Sequence, residues 1–159
     1  TIKADFYLQR NGDEPLSNTE AIAAAIPDFV PQDVEYGTNI ITEMTDPAQV
    51  MDASNIKMVF DENMNALYMS RTPIPYPFKA IDFKYYKHVG IIGYNKKMLD
   101  FYRNTKPGRF ELIEGIDTLR FLDYGKQLKL SLVESCHSLS VDTEKDLEMV
   151  TKMIQETMK

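Results

Sequence analysis

The chain has 159 residues, 43% hydrophobic and 26% charged, with 18 Lys and Arg against 24 Asp and Glu for a formal net charge of −6. A chain of this size buries roughly two-thirds of its unfolded surface, so it needs neither disulfide nor metal to hold a core, and its composition excludes a disordered tail or a fibre. The negative balance excludes a general electrostatic grip on nucleic acid or on an anionic membrane, so neither is expected as a partner.

In chain order, Ala4 to Gln9 is a short apolar, aromatic-containing run stopped by Asn11-Gly12, which predicts a buried strand ending in a turn. Ser17-Asn18-Thr19-Glu20 reads as a capping box opening a helix over Ala21 to Ile26, closed by Pro27. Tyr36 to Met44 predicts a strand, Asp46-Pro47 a short helical turn, and Ile56 to Phe60 with Ala66 to Ser70 a hairpin across Asp61 to Asn65. Arg71 to Phe83 carries Pro73, Pro75 and Pro77 among aromatics, too many breakers for a core element, and reads as an extended excursion or dimer arm. A strand over His88 to Tyr94 and a helix over Lys96 to Arg103 follow. Leu112, Ile116, Leu119 and Leu122 repeat at three-and-four spacing, which predicts one helix over Glu111 to Tyr124, stopped by Gly125. Leu128 to Val133 predicts a strand, and Thr143 opens a final helix with an inward stripe of Leu147, Val150 and Ile154. This alternation implies one α/β layered domain over 1–159 with a mainly parallel sheet, interrupted by a mixed β insertion around 56–86.

Chemistry-bearing residues are few. Asp13 and Asp142 each stand where an apolar strand or its following loop gives way to a helix start. If the two strand ends converge, two carboxylates can share a hard divalent cation such as Mg²⁺, with water and phosphate filling the remaining positions. The same residues also suit a plain turn and a position just before a helix cap. His88 opens an apolar strand, as a base or as a hydrogen-bonded structural group. Arg71 follows Ser70 at a strand end, where a guanidinium can clamp a carboxylate or phosphate, or make a structural ion pair. The single cysteine, Cys136, closes no internal disulfide, and no apolar run approaches membrane-spanning length, so a reducing, cytoplasmic setting is expected.

Five motifs in order carry a resemblance over nearly the whole chain: Asn11-Gly12-Asp13-Glu14-Pro15-Leu16, the run Ala66 to Pro75 (ALYMSRTPIP), Lys87 to Tyr94 (KHVGIIGY), Leu119 to Gly125 (LRFLDYG) and Val141 to Glu148 (VDTEKDLE). The sequence resembles the 3-deoxy-manno-octulosonate cytidylyltransferases, or CMP-Kdo synthetases. That resemblance implies a nucleotidyltransferase-like α/β fold, commonly dimeric, joining CTP to an acidic sugar with release of pyrophosphate for lipopolysaccharide assembly. It places the family's Mg²⁺-binding aspartates on Asp13 and Asp142, its sugar-contacting histidine on His88, and its Ser-Arg motif on Arg71. Glu114 falls in the helix lining the sugar pocket, and Asn11 stands at the substrate-facing first position of the family's QGDEP motif, just before Gly12.

Three positions depart from the family pattern: Asn11 replaces a glutamine, Ile92 a tyrosine, and Asp117-Thr118 a Glu-Gln pair. Each removes or shortens a polar group expected to face the sugar. A related acidic or amino-substituted sugar is therefore as fair an expectation as the parent one. The family's opening strands and basic, glycine-containing nucleotide loop have no counterpart, so the chain reads as the carboxyl-terminal two-thirds of such an enzyme. The rival expectation is a non-catalytic sugar-binding or dimerisation module; a nucleotidyltransferase for another acidic sugar is a third.

Overall fold

A computed structural model describes residues 3–13, 15–16, 19–80, 82–134, 141 and 143–157. Among them six strands form one sheet: β1 (Phe6–Arg10), β2 (Gly37–Met44), β3 (Lys57–Phe60), β4 (Ala66–Ser70), β5 (Tyr85–Asn95) and β6 (Leu128–Leu132). The helices are α1 (Thr19–Ala24), α2 (Pro47–Met51), α3 (Lys96–Asn104), α4 (Arg109–Glu114), α5 (Leu119–Asp123) and α6 (Glu144–Thr157). The layered α/β architecture expected from the sequence is present.

The sheet runs β4-β3-β5-β2-β6, with β1 also on β5. The expectation of a mainly parallel sheet needs correction. β5 pairs antiparallel with β1, β2 and β3, β3 pairs antiparallel with β4, and only β2 and β6 pair in parallel. The reason lies in how the chain enters β5. It arrives from the extended proline-bearing excursion rather than over a crossover helix, so nothing forces it into its neighbours' direction. β1, β2 and β6 share a direction, with α1 joining β1 to β2 and α3, α4 and α5 leading from β5 to β6, and β5 runs against them from the middle.

β2 lies between β5 and β6 and is buried over nearly its whole length, as a central strand covered on both faces must be. Its consecutive Ile40 and Ile41, both fully buried, divide the core. Ile41 packs with Met58, Met69, Ile92, Leu119 and Phe121 on one face, while Ile40 packs with Val89, Ile91, Ala21 and Ala25 on the other. Gly93 is required where β1, β2 and β5 press together. A Cβ there would overlap the Phe6 ring and stand 2.5 Å from Thr38 Oγ1. Gly93→Ala is expected to cost about 1–3 kcal/mol through overpacking, read as a lower urea midpoint at unchanged m-value.

Local signals account for most boundaries. Asn95 Oδ1 accepts from Met98 N at 2.9 Å and starts α3, Asp46 caps α2 through Ala48 N at 2.8 Å, and Asp61 gathers Asn63 N and Asn65 N at the hairpin turn. Ser17 and Asn18 of the expected capping box lie outside the described residues, and α1 ends at Ala24, two residues before Ile26.

Two helix expectations are corrected. The predicted helix over Glu111 to Tyr124 is two short helices, because Gly115 adopts a left-handed φ of 64° and its N–H closes on Glu111 O at 2.8 Å. Leu112 consequently faces solvent, 72% exposed. In α6 only Val150 of the expected stripe is buried, while Leu147 and Ile154 are exposed. The predicted stop at Gly125 is present, at φ 68°.

Candidate active site

The carboxyl end of β1 delivers the GDEP segment to the middle of the sheet. Where β1 stops at Arg10, Asn11 N still reaches Gly90 O of β5 at 2.9 Å, so the turn that follows is fastened to the strand carrying His88. Asp13 is exposed, and its carbonyl accepts a hydrogen bond from Val141 N at 2.9 Å. Two segments nearly the whole chain apart are thereby stitched together at the residue preceding Asp142. Asp142 itself lies outside the described residues. Exposed carboxylate oxygens at a strand end are hard donors of the type Mg²⁺ takes, so the chemistry of Asp13 fits such an ion.

His88 is part-buried on β5, its main-chain N–H donating to Ile56 O at 2.9 Å and its ring Nδ1 lying 2.7 Å from Asn39 Oδ1. Burial, assisted by the charge of Lys87, pushes its pKa down to about 4, so the ring is neutral near pH 7. Beside it, Lys57 and Lys87 sit opposite one another across β3 and β5. Lys57 is fully buried, donating to Asp52 O at 2.9 Å and Asn55 O at 2.7 Å, and burial holds its pKa below the usual lysine range. It clamps the loop into β3. Nothing in the sequence distinguished this lysine from a solvated one.

Arg71 and Glu114 come together, though largely with protein partners. The Arg71 guanidinium donates to Glu114 O at 2.7 Å, Gly115 O at 3.2 Å and Ala53 O at 3.0 Å, covering the last carbonyls of α4. The Glu114 carboxylate accepts from Ser70 Oγ at 2.7 Å and from Arg71 N at 2.9 Å. The Ser-Arg motif thus latches the end of β4 to the end of α4, and explains physically why the long helix breaks there.

A cavity of about 220 Å³ opens beside β1 between β5 and the α3 and α5 layer. It is lined by Gln9, Ile92, Tyr94, Leu99, Tyr102, Asp117, Thr118 and Phe121. Ile92, Asp117 and Thr118, all departures from the family pattern, therefore share one wall system. Tyr94 donates to Gln9 Oε1 at 3.3 Å, and burial raises its pKa far above the normal tyrosine value. Tyr102 is raised for the same reason, with Asp117 adding to both. The cavity thus offers neutral hydroxyls and an amide, with one exposed carboxylate, a lining suited to a polyhydroxylated ligand. Sequence reasoning missed Gln9, Tyr94 and Tyr102, which looked like ordinary strand and helix residues. A larger cavity of about 510 Å³ between the end of β2 and the excursion contains none of the predicted site residues. Among the described residues no group of three or more His, Cys, Asp or Glu could hold a metal ion, and no helix is long and apolar enough to cross a membrane.

Known proteins resemble the chain over most of its length. The family model described as cytidylyltransferase matches residues 1–129. An 8-amino-3,8-dideoxy-manno-octulosonate cytidylyltransferase of Shewanella halifaxensis is 34% identical over 147 residues, 91% of this chain and 59% of that protein. A 3-deoxy-manno-octulosonate cytidylyltransferase of Fusobacterium nucleatum is 35% identical over 154 residues, 96% of this chain and 62% of that protein. The chain therefore spans about three-fifths of the length of these relatives. Among solved structures, a CMP:2-keto-3-deoxy-manno-octonic acid synthetase complexed with CTP superposes with a TM-score of 0.87 at 29% identity, covering 98% of this chain and 64% of that one. The inositol-1-phosphate CTP transferase of T. maritima shares the fold alone, with a TM-score of 0.61 at 15% identity over 97% of this chain and 56% of that one. Motif order, sheet geometry and these matches lead to one conclusion: the chain belongs to the cytidylyltransferase family.

Proposed function

We propose that this chain supplies the sugar-acid side and the metal-binding carboxylates of an enzyme that transfers CMP from CTP to a 2-keto-3-deoxy sugar acid. The reaction is a single displacement. A sugar hydroxyl oxygen forms a bond to the α-phosphorus, the bond from that phosphorus to the diphosphate leaving group breaks, and the hydroxyl proton is lost, giving CMP-sugar and pyrophosphate. Asp13 and Asp142 would hold Mg²⁺, which when bound supplies charge neutralisation on the phosphate oxygens and acidifies the attacking hydroxyl. The observation that carries the reading is the hydrogen bond from Val141 N to Asp13 O. It draws the GDEP and VDT motifs together, as a shared metal requires.

The protein's own groups orient the acceptor. The Gln9–Tyr94 pair and Thr118 line the cavity and offer hydrogen bonds to hydroxyls, Ile92 gives one wall an apolar face, and His88, outside that lining, would add a contact through its ring. The enzyme would act in the cytoplasm, in the synthesis of lipopolysaccharide or another surface glycan, as a homodimer. Its exposed Tyr76 and Phe78, 82% and 84% accessible at the tip of the excursion, support an arm that seeks a second copy.

The test is pyrophosphate release by the full-length protein from CTP and Mg²⁺ with 3-deoxy-manno-octulosonate or its 8-amino analogue. One of the two sugars is expected to support turnover, and chelation by EDTA to abolish it. Silence with both sugars, in protein that binds CTP by calorimetry, would overturn the substrate assignment.

A further inference from the structure

β5 carries two more residues than the strand facing it. Asn39 pairs with Ile92 and Ile40 with Val89, so Gly90 and Ile91 bulge out of the β2 ladder. A bulge strips main-chain carbonyls of their ladder partners, and here the carbonyls of Val89 and Ile91 receive a side-chain substitute, while that of Gly90 stays on the β1 side. Asn39 Nδ2 donates to Val89 O at 3.0 Å and to Ile91 O at 2.9 Å, while Asn11 N takes the intervening Gly90 O at 2.9 Å.

The Asn39 side chain is fully buried, and its orientation follows from these bonds. Both of its N–H groups face carbonyl oxygens, which only accept, so the amide cannot be flipped without setting oxygen against oxygen. Its own oxygen is thereby turned toward His88 Nδ1 at 2.7 Å. An amide oxygen only accepts as well, so Nδ1 must carry the ring proton. With the ring neutral near pH 7, Nε2 is left with a bare lone pair.

We propose that Asn39 is a positioning residue that locks His88 as the Nδ1–H tautomer, so that Nε2 accepts a hydrogen bond from a substrate hydroxyl rather than donating one to a carboxylate. The same side chain stiffens the bulge whose Gly90 carbonyl holds Asn11, and so steadies the turn that carries Asp13. The proton on Nδ1 stands on the hydrogen-bond geometry, and the bare Nε2 on that geometry together with the neutrality of the buried ring. The identity of its ligand, a hydroxyl of the acceptor sugar, rests on the function proposed above.

Nitrogen-15 NMR of histidine-labelled protein tests the first half directly, with the second histidine assigned by His137→Gln. Wild-type His88 is expected to show a protonated Nδ1 and an unprotonated Nε2 near pH 7. In Asn39→Ala the Nε2–H tautomer is expected to gain population, with KM for the sugar rising about tenfold and KM for CTP unchanged. A proton on Nε2 in the wild type overturns the proposal whatever the kinetics, and that measurement holds even where the alanine variant fails to fold. The predicted tautomer with an unchanged sugar KM in a folded Asn39→Ala variant overturns the ligand half alone. Failure of the enzyme on every sugar tried, with the tautomer intact, is instead a failure of the function proposed above.

Discussion

Asp13→Asn is expected to cut pyrophosphate release by about 10²–10³-fold or more while leaving the fold and its unfolding midpoint unchanged. The substitution keeps size and hydrogen-bonding capacity and removes one negative charge from a set of hard oxygen ligands. Asp13 is exposed, and the described bond joining its residue to Val141 is made by its main-chain carbonyl, so this contact survives the substitution. The loss should therefore appear in kcat and in the Mg²⁺ concentration needed for half-maximal rate, with little effect on sugar affinity. Circular dichroism and urea unfolding of the variant check that the loss is chemical. An active Asp13→Asn enzyme with the wild-type Mg²⁺ requirement would remove Asp13 from the metal site.

How much of this was legible beforehand divides along physical lines. Strands that bury one or both faces announce themselves by composition, and β2, β3, β4 and β6 all lie near their expected positions. β1 also lies where it was expected, but the expectation of a buried strand is corrected: Phe6 and Tyr7 are half-buried and Leu8 to Arg10 exposed, because β1 pairs along β5 alone. β5 begins three residues before the expected His88, because Tyr85 to Lys87 pair with β2 although they belong to no apolar run. Its reversed direction is a property of the chain's route, which periodicity does not encode. The break at Gly115 was half visible. A glycine inside a helical repeat is a warning, but the stop is enforced by Arg71, some 40 positions earlier, taking the carbonyls that a continuing helix would need. Asp13 and Asp142 were singled out because a five-motif order is specific; spacing alone left a turn residue as good a reading. Asn39 was invisible for the opposite reason. A single polar residue in an apolar strand resembles a solvent-facing position until the bulge opposite it supplies two unpaired carbonyls.

The largest effect on stability is expected at Arg120, within the LRFLDYG motif. Its guanidinium meets the Glu111 carboxylate in a two-pronged pair, Nε to Oε2 at 2.7 Å and Nη2 to Oε1 at 2.6 Å, with side chains only 11% and 8% exposed. Nη1 also donates to Tyr102 O and Thr105 O, both at 3.1 Å, and the group lies 3.8 Å from the Tyr102 ring centroid. Glu111 in turn accepts from Gly108 N at 3.0 Å at the start of α4. One ion pair therefore ties α3, α4 and α5 together beneath the cavity. Arg120→Ala leaves a buried carboxylate and two carbonyls with lost partners, and is expected to cost about 3–5 kcal/mol. Against a typical total of about 5–15 kcal/mol, that is a large part of the protein's stability.

Glu111→Ala should cost less, because Arg120 keeps both carbonyls. A double variant to apolar residues should not restore the wild-type value, since Gly108 N, Tyr102 O and Thr105 O would still lose their partners. The pair also sets a pH signature. Arg120 holds the Glu111 pKa below its ordinary 4.5, so its stabilisation is complete above that value and disappears as pH falls through the lowered one. His88, depressed from 6.5 to about 4, erodes stability at milder acidity, because between those values the unfolded chain binds a proton that the folded ring refuses. Urea midpoints measured from pH 7 to pH 3 should therefore fall in two stages. Glu111→Gln should shrink the lower stage, to which the lowered carboxyls of Glu35, Asp52 and Asp61 also contribute, and leave the upper one; a lower stage of undiminished size in that variant means that the ion pair is not a group that acid breaks.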